Sequence, residues 1–127
     1  GDWAQHFGIS AALAAVAGTP LADAVGLYKE LEDARGGSGF SFGDLAADRA
    51  GARFGALAVA GGPAQERLQR RVKAGLQDQD LLPPLRDLPE FLEEAEFKRR
   101  FGDTQSAAYR RMAGDIERRV SALGLYR

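Results

Sequence analysis

A glycine-rich turn followed by a strong helix-start signal limits what this 127-residue chain can fold into. The turn occupies residues 36–39, and Ser41 with Asp44 three residues later predicts a capping box at the start of the next helix. Phe40, just before the cap, is placed to pack on Leu45 as a hydrophobic staple. We therefore expect a helix to begin at Ser41 and to form a hairpin with the helix that precedes the turn.

The remaining segments also have helical periodicity. Two adjacent prolines and a third five residues later prevent a regular helix over about residues 80–89. No segment has the alternation of apolar and polar residues that is typical of a strand. Thr19 before Pro20 predicts an N-cap followed by proline at the first helical position. Apolar spacings of three and four predict helices over about residues 2–17, 19–35, 41–57, 64–76, 90–100 and 106–123. The sequence predicts an all-α fold, a compact bundle of about six short helices with one extended proline-rich connection.

Chain length favours one domain. Residues 61–63, Gly-Gly-Pro, are the only candidate linker, but three short helices on either side would each build a thin core. We expect residues 1–60 to form a region around the polar hairpin and residues 64–127 to pack on it within a single helical domain.

Composition excludes several classes of function. The chain has no cysteine, so disulfides and thiolate metal sites are excluded. A net charge of −1 gives no reason to expect a nucleic-acid partner. No run of about 18 apolar residues is present, so no transmembrane segment is predicted. The first residue is glycine instead of methionine, which is consistent with a removed export signal.

Polar side chains recur on one face of each of the first three predicted helices. Residues three or four apart share a helix face, and a tight turn makes the second and third helices antiparallel neighbours. The residues concerned are His6 and Ser10 in the first helix, Glu30 and Asp33 in the second, and Asp44 and Asp48 in the third. We expect these groups to lie close together.

One interpretation of this cluster is structural. Clustered carboxylates need compensating charge, and three basic residues, Lys29, Arg49 and Arg53, lie nearby in sequence. Pairing between these acids and bases would hold the hairpin in one register. The polar network predicted in this way comprises His6, Ser10, Lys29, Glu30, Asp33, Asp44, Asp48 and Arg49.

Two chemical interpretations stay open beside it. A metal centre would take nitrogen from His6 and oxygen from Glu30, Asp33 and Asp48, with Asp33, Asp44 and Asp48 as the candidate metal ligands. Paired carboxylates can also separate their pKa values and act as acid and base, which makes His6, Glu30 and Asp48 the catalytic candidates. No cofactor is predicted.

Three spaced motifs resemble a known family. They are His6-Phe7-x-x-Ser10-Ala11, Gly26-x-x-Lys29-Glu30-x-x-Asp33 and Gly39-Phe40-Ser41-x-x-Asp44-Leu45-x-x-Asp48-x-x-Gly51. Together they resemble the YfiM-like family of predicted bacterial lipoproteins and, distantly, the VanZ-like proteins, whose polar residues lie in membrane helices. The resemblance covers about residues 3–57. It implies an envelope location after export and supplies no established activity.

The expected function follows from these interpretations together. We expect a small accessory protein of the bacterial envelope that acts by binding or scaffolding, in the periplasm or anchored on the periplasmic side of the membrane. Its partner would be another envelope protein or a second copy of the chain, and peripheral association with a membrane is also open. The alternative is a divalent-metal-assisted hydrolase of cell-wall or lipid substrates that uses His6, Glu30, Asp33, Asp44 and Asp48.

Overall fold

The computed structural model describes residues 2–127 and confirms the all-α prediction. Within this range the chain forms seven α-helices and a final turn of 3-10 helix at Gly124–Tyr126, and no strand. The α-helices are α1 (Trp3–Ala17), α2 (Thr19–Gly36), α3 (Phe42–Ala58), α4 (Gly62–Ala74), α5 (Asp78–Leu81), α6 (Glu94–Phe101) and α7 (Ala107–Ser121). No helix in the described range is both long and apolar enough to cross a membrane.

Helix α3 is the central element of the bundle. Its residues are buried along most of their length, and α1, α2, α4 and α7 all pack against it. Helix α1 makes the most extensive of these contacts. A sequence rich in alanine and glycine, with four charged residues among 17, suits a helix that is covered on nearly every side.

Two glycines allow α1 to lie directly on α3. A Cβ at Gly51 would stand 2.1 Å from the carbonyl oxygen of Phe7, and one at Gly55 would stand 2.0 Å from that of Ala11. Both distances are far below van der Waals contact. The separation between α1 and α3 therefore requires glycine at both positions, and this packing fixes where the polar side chains of α1 lie.

An aromatic cluster joins the N-terminal and C-terminal halves. Phe40 and Phe42, on either side of the Ser41 cap, are fully buried against Phe97, Phe101 and Tyr109. The ring centroids of Phe40 and Phe97 are 4.6 Å apart. The two halves therefore contribute to one hydrophobic core.

The observed helix boundaries differ from the predicted ones where distant segments pair. The predicted helix over residues 90–100 begins only at Glu94, because Leu92 exchanges backbone hydrogen bonds with Phe40 at 2.6 and 2.9 Å. A short helix, α5, occupies part of the segment expected to be extended. Helix α2 already includes Thr19, and Gly18 is its cap residue, so the predicted Thr19 cap is wrong by one position.

Candidate functional site

The start of α3 departs from a simple capping box. Ser41 Oγ accepts the Asp44 backbone N–H at 3.0 Å, as the sequence predicts. The Ser41 N–H, however, donates to Glu30 Oε1 at 2.9 Å instead of to Asp44. The Asp44 carboxylate is therefore free of its predicted capping role and turns towards α1. A glutamate of α2 completes the cap of α3 and ties the two helices together.

His6 lies between the two aspartates of α3. Its Nδ1 is 3.0 Å from Asp48 Oδ1, and its Nε2 is 3.4 Å from Asp44 Oδ2. The hydrogen bond to Asp48 raises the pKa of His6 above its ordinary 6.5, and although burial opposes this, the surrounding carboxylates add to it. Two carboxylates facing both ring nitrogens favour the doubly protonated imidazolium.

Ser10, one turn further along α1, forms a hydrogen bond with the same Asp48 carboxylate. Its Oγ donates to Asp48 Oδ1 at 3.2 Å, and the residue is buried. Ser10 and His6 thus share one aspartate oxygen, whereas a nucleophilic serine needs its hydroxyl on the histidine base. The geometry gives Ser10 a hydrogen-bonding role.

Glu30 is the most deeply buried acid of the group. Its side chain is fully excluded from solvent, and burial raises its pKa from 4.5 to about 7, partly offset by the bond from the Ser41 N–H. Near neutral pH, protonated and ionised Glu30 therefore coexist. We call the set formed by His6, Ser10, Glu30, Asp44 and Asp48 the His6 cluster.

Three carboxylate oxygens of the His6 cluster are buried without a hydrogen-bond partner among the described residues. They are Glu30 Oε2, Asp44 Oδ1 and Asp48 Oδ2. Ligand atoms of His6, Glu30 and Asp48 lie within 4.8 Å of one another. One nitrogen and two carboxylate oxygens at this separation form a donor set that suits a divalent cation.

A small cavity of about 70 Å³ opens beside the cluster between α1 and α2. His6, Ser10 and Asp48 line its inner side, and Lys29 lines it from α2. Gly26 leaves room for Asp48, because a Cβ there would stand 2.7 Å from Asp48 Oδ2. The cavity has space for a few water molecules.

Among the described residues, the cations expected to neutralise the cluster make no ion pair with its carboxylates. Arg49 pairs with Asp23 at 3.5 Å and with Glu117 at 3.2 Å, linking α3 to α2 and α7. Arg53 donates to Ser121 Oγ. Within residues 2–127, Lys29 has no carboxylate within 4.0 Å of its ammonium. Arg49 therefore pairs with an acid of α2, as expected for a bond that holds the hairpin together, but within residues 2–127 neither Lys29 nor Arg49 pairs with Glu30, Asp44 or Asp48.

Asp33 is also outside the cluster. Its backbone carbonyl accepts the N–H groups of Gly37 and Gly39 at the end of α2, and its side chain lies beside Gly37. The spacing correctly places Asp33 one turn from Glu30 in α2, but its side chain lies beside the turn that follows the helix and not at the cluster. Of the predicted polar residues, the structure brings together His6, Ser10, Glu30, Asp44 and Asp48.

One polar partner near the cap was not predicted. Glu90 Oε1 accepts hydrogen bonds from Trp3 Nε1 at 3.2 Å and from Ser41 Oγ at 3.3 Å. Glu90 follows the proline-rich connection and shares no spacing with the N-terminal motifs. Backbone hydrogen bonds on both sides of Glu90 bring it to this place: Leu92 pairs with Phe40, and the Phe42 N–H donates to the Pro89 carbonyl.

Comparison with models of protein families, with curated proteins and with solved structures gives no match for this chain.

Proposed function

We propose that this chain is a small accessory protein of the bacterial envelope that acts by binding, and that its His6 cluster holds the three N-terminal helices in one arrangement. Side chains from α1, α2 and α3 meet in this cluster, and each helix contributes at least one buried polar group. Loss of any of these contacts leaves a buried group unsatisfied, which makes the arrangement specific.

The small volume of the cavity beside His6 is the observation that supports the non-catalytic part of the proposal. Binding sites for small organic molecules are generally about 300–1,000 Å³. The space beside His6 is about 70 Å³, too little for a sugar ring or an acyl chain. A substrate would need α1 and α2 to separate before it could reach Asp48.

The envelope location rests on the resemblance to the YfiM-like family. The motifs that carry the resemblance supply His6, Ser10, Glu30, Asp44 and Asp48, and these residues converge on one site although they are separated by up to 42 positions. The convergence gives the three motifs one common site.

A divalent-metal-assisted hydrolase is the second candidate. A carboxylic acid with a pKa of about 7 close to a second carboxylate is the pattern of an acid and a base with separated roles. Four of the five residues predicted for this activity, all but Asp33, are in the His6 cluster.

Turnover assays distinguish the two candidates. The purified chain is incubated with peptidoglycan and with phospholipid vesicles, with and without MnCl₂, and products are quantified by chromatography. We expect no product above the protein-free control. Product formation that Asp48→Asn abolishes and Asp33→Asn retains, with both variants folded by circular dichroism, would establish the hydrolase and refute the non-catalytic proposal.

A further inference from the structure

We propose that the His6 cluster binds one divalent cation of the Mn²⁺ class through His6, Glu30 and Asp48, with Asp44 orienting the imidazole. The observation behind this is the set of buried carboxylate oxygens that have no hydrogen-bond partner in the described range. Cation binding requires no turnover, so the inference extends beyond the proposed function.

The unpartnered oxygens are not surface groups. Glu30 is 0% exposed and Asp48 is 4% exposed, yet each has one carboxylate oxygen without a donor. Their other oxygens are used, Glu30 Oε1 by the Ser41 N–H and Asp48 Oδ1 by His6 and Ser10. Buried polar atoms nearly always have a hydrogen-bond partner, so two carboxylate oxygens without one in the same cluster indicate that a ligand is missing.

The spacing of the donors fits a single ion. Carboxylate oxygens and imidazole nitrogens bind transition metals at roughly 2.0–2.2 Å, so two ligand atoms on one ion are separated by at most about 4.4 Å. The ligand atoms of His6, Glu30 and Asp48 already lie within 4.8 Å of one another. Small side-chain rotations are enough to close this group around a cation.

The negative charge of the cluster also favours a bound cation. Three carboxylates and one imidazole share the cluster, and among residues 2–127 no lysine or arginine side chain lies within 4.0 Å of these carboxylates. Buried like charges repel unless protons or a cation neutralise them. A divalent ion would take the place of the proton shared between His6 and Asp48 and would also satisfy the orphan oxygen of Glu30.

Asp44 lies beside His6 on the side of the ring that faces away from the proposed ion. Histidine ligands usually donate their second ring N–H to a carboxylate, which fixes the ring orientation. Asp44 Oδ2 is 3.4 Å from His6 Nε2, which leaves Nδ1, on the side of Asp48, for the ion. The adjacent cavity of about 70 Å³ provides space for water ligands.

The donor types select the kind of cation. Calcium takes six to eight oxygen ligands, which is more than this cluster offers, and a histidine nitrogen favours the transition metals. No thiolate is present in the chain to favour zinc over manganese. We therefore expect Mn²⁺ and Zn²⁺ to bind and Ca²⁺ to bind weakly.

The test is a titration of the metal-free protein with MnCl₂ at pH 8.0 and pH 5.5. Free Mn²⁺ is followed by electron paramagnetic resonance, and the melting temperature is measured in parallel. We expect one ion per chain and a melting temperature several degrees higher at pH 8.0, since a ligand of the native state stabilises it. At pH 5.5 the shift should largely disappear, because protons compete for the same atoms.

Matched variants identify the site. Asp48→Asn and Glu30→Gln should each weaken Mn²⁺ binding at least tenfold, whereas Asp33→Asn should leave it unchanged. Glu30→Gln keeps an acceptor for the Ser41 N–H, so its fold should persist, and circular dichroism checks this. Absence of binding by both Mn²⁺ and Zn²⁺ at pH 8.0, or binding that both cluster variants retain, would overturn the inference. Neither result depends on the turnover assay, which tests the proposed function separately.

Discussion

At the residue scale, Glu30 makes the stability of the metal-free protein depend on pH. Its pKa is about 7 in the folded state against 4.5 for the free side chain, so the folded state holds the proton more tightly. The free energy of unfolding should then fall as the pH rises from about 4.5 to about 7. The pKa of His6, raised above 6.5, acts in the same direction, because its stabilising proton is lost as the pH rises through the raised value.

Glu30→Gln tests this dependence, because the amide imitates the protonated acid. Urea denaturation in EDTA at pH 5, 6, 7 and 8 should give a stability that declines with pH in the wild type and a flatter profile in the variant. At pH 8 the variant should be the more stable of the two. An unchanged slope in Glu30→Gln would mean that another group controls the titration.

Asp48 accepts two hydrogen bonds that have no substitute. Asp48→Ala leaves the His6 imidazole and the Ser10 hydroxyl without their shared acceptor in a buried site. Breaking a buried charged pair in this way typically lowers the free energy of unfolding by about 3–5 kcal/mol. Urea denaturation at pH 6 measures the loss. Asp33→Ala, outside the cluster, should cost under about 1 kcal/mol, and equal losses for the two variants would contradict the structural role of the cluster.

At the element scale, the contact between α1 and α3 positions His6. Gly51→Ala would place a methyl group 2.1 Å from the Phe7 carbonyl oxygen, so α1 must move away from α3. Overpacking of this kind costs about 1–3 kcal/mol and should also weaken Mn²⁺ binding, because His6 moves with α1. Thermal melts and the Mn²⁺ titration measure the two effects.

Gly8→Ala is the matched control on the same pair of helices. A Cβ at Gly8 meets no atom within 4 Å, so alanine there should be neutral or stabilising by up to about 1 kcal/mol. If Gly51→Ala melts like Gly8→Ala and still binds Mn²⁺, then close approach of α1 does not position the site.

Local signals predicted the elements well, and non-local contacts account for the errors. The Ser41 cap follows from residues within one turn and is observed, and α6 ends at Phe101, one residue beyond the predicted bound. The late start of α6 depends on Leu92 pairing with Phe40, some 50 residues away, which no local pattern contains. The second hydrogen bond predicted for the Ser41 capping box, from the Ser41 N–H to Asp44, is wrong for the same reason, since Glu30 in α2 accepts this N–H instead.

For the molecule as a whole, helical spacing identified all five residues of the His6 cluster but not which basic residues pair with the acids. Faces of helices can be deduced from periodicity, and this brought His6, Glu30 and Asp48 to one site. Gly51 and Gly55 let α1 lie close on one side of α3, whereas Arg49, on another side, pairs with Asp23 and Glu117. A charge count along the sequence cannot contain that information.

The shared aromatic core makes a prediction about cooperativity. Phe97→Ala removes a buried ring from α6 that packs on Phe40 and Phe42, a loss of about 3–5 kcal/mol. Trp3, the only tryptophan, donates to Glu90 and so reports on contact between the halves. If one core stabilises both halves, Trp3 fluorescence and far-ultraviolet circular dichroism should give coincident urea transitions, in the wild type and, at lower urea, in the variant. Fluorescence and dichroism midpoints that fall at different urea concentrations would show that the two halves do not unfold as one cooperative unit.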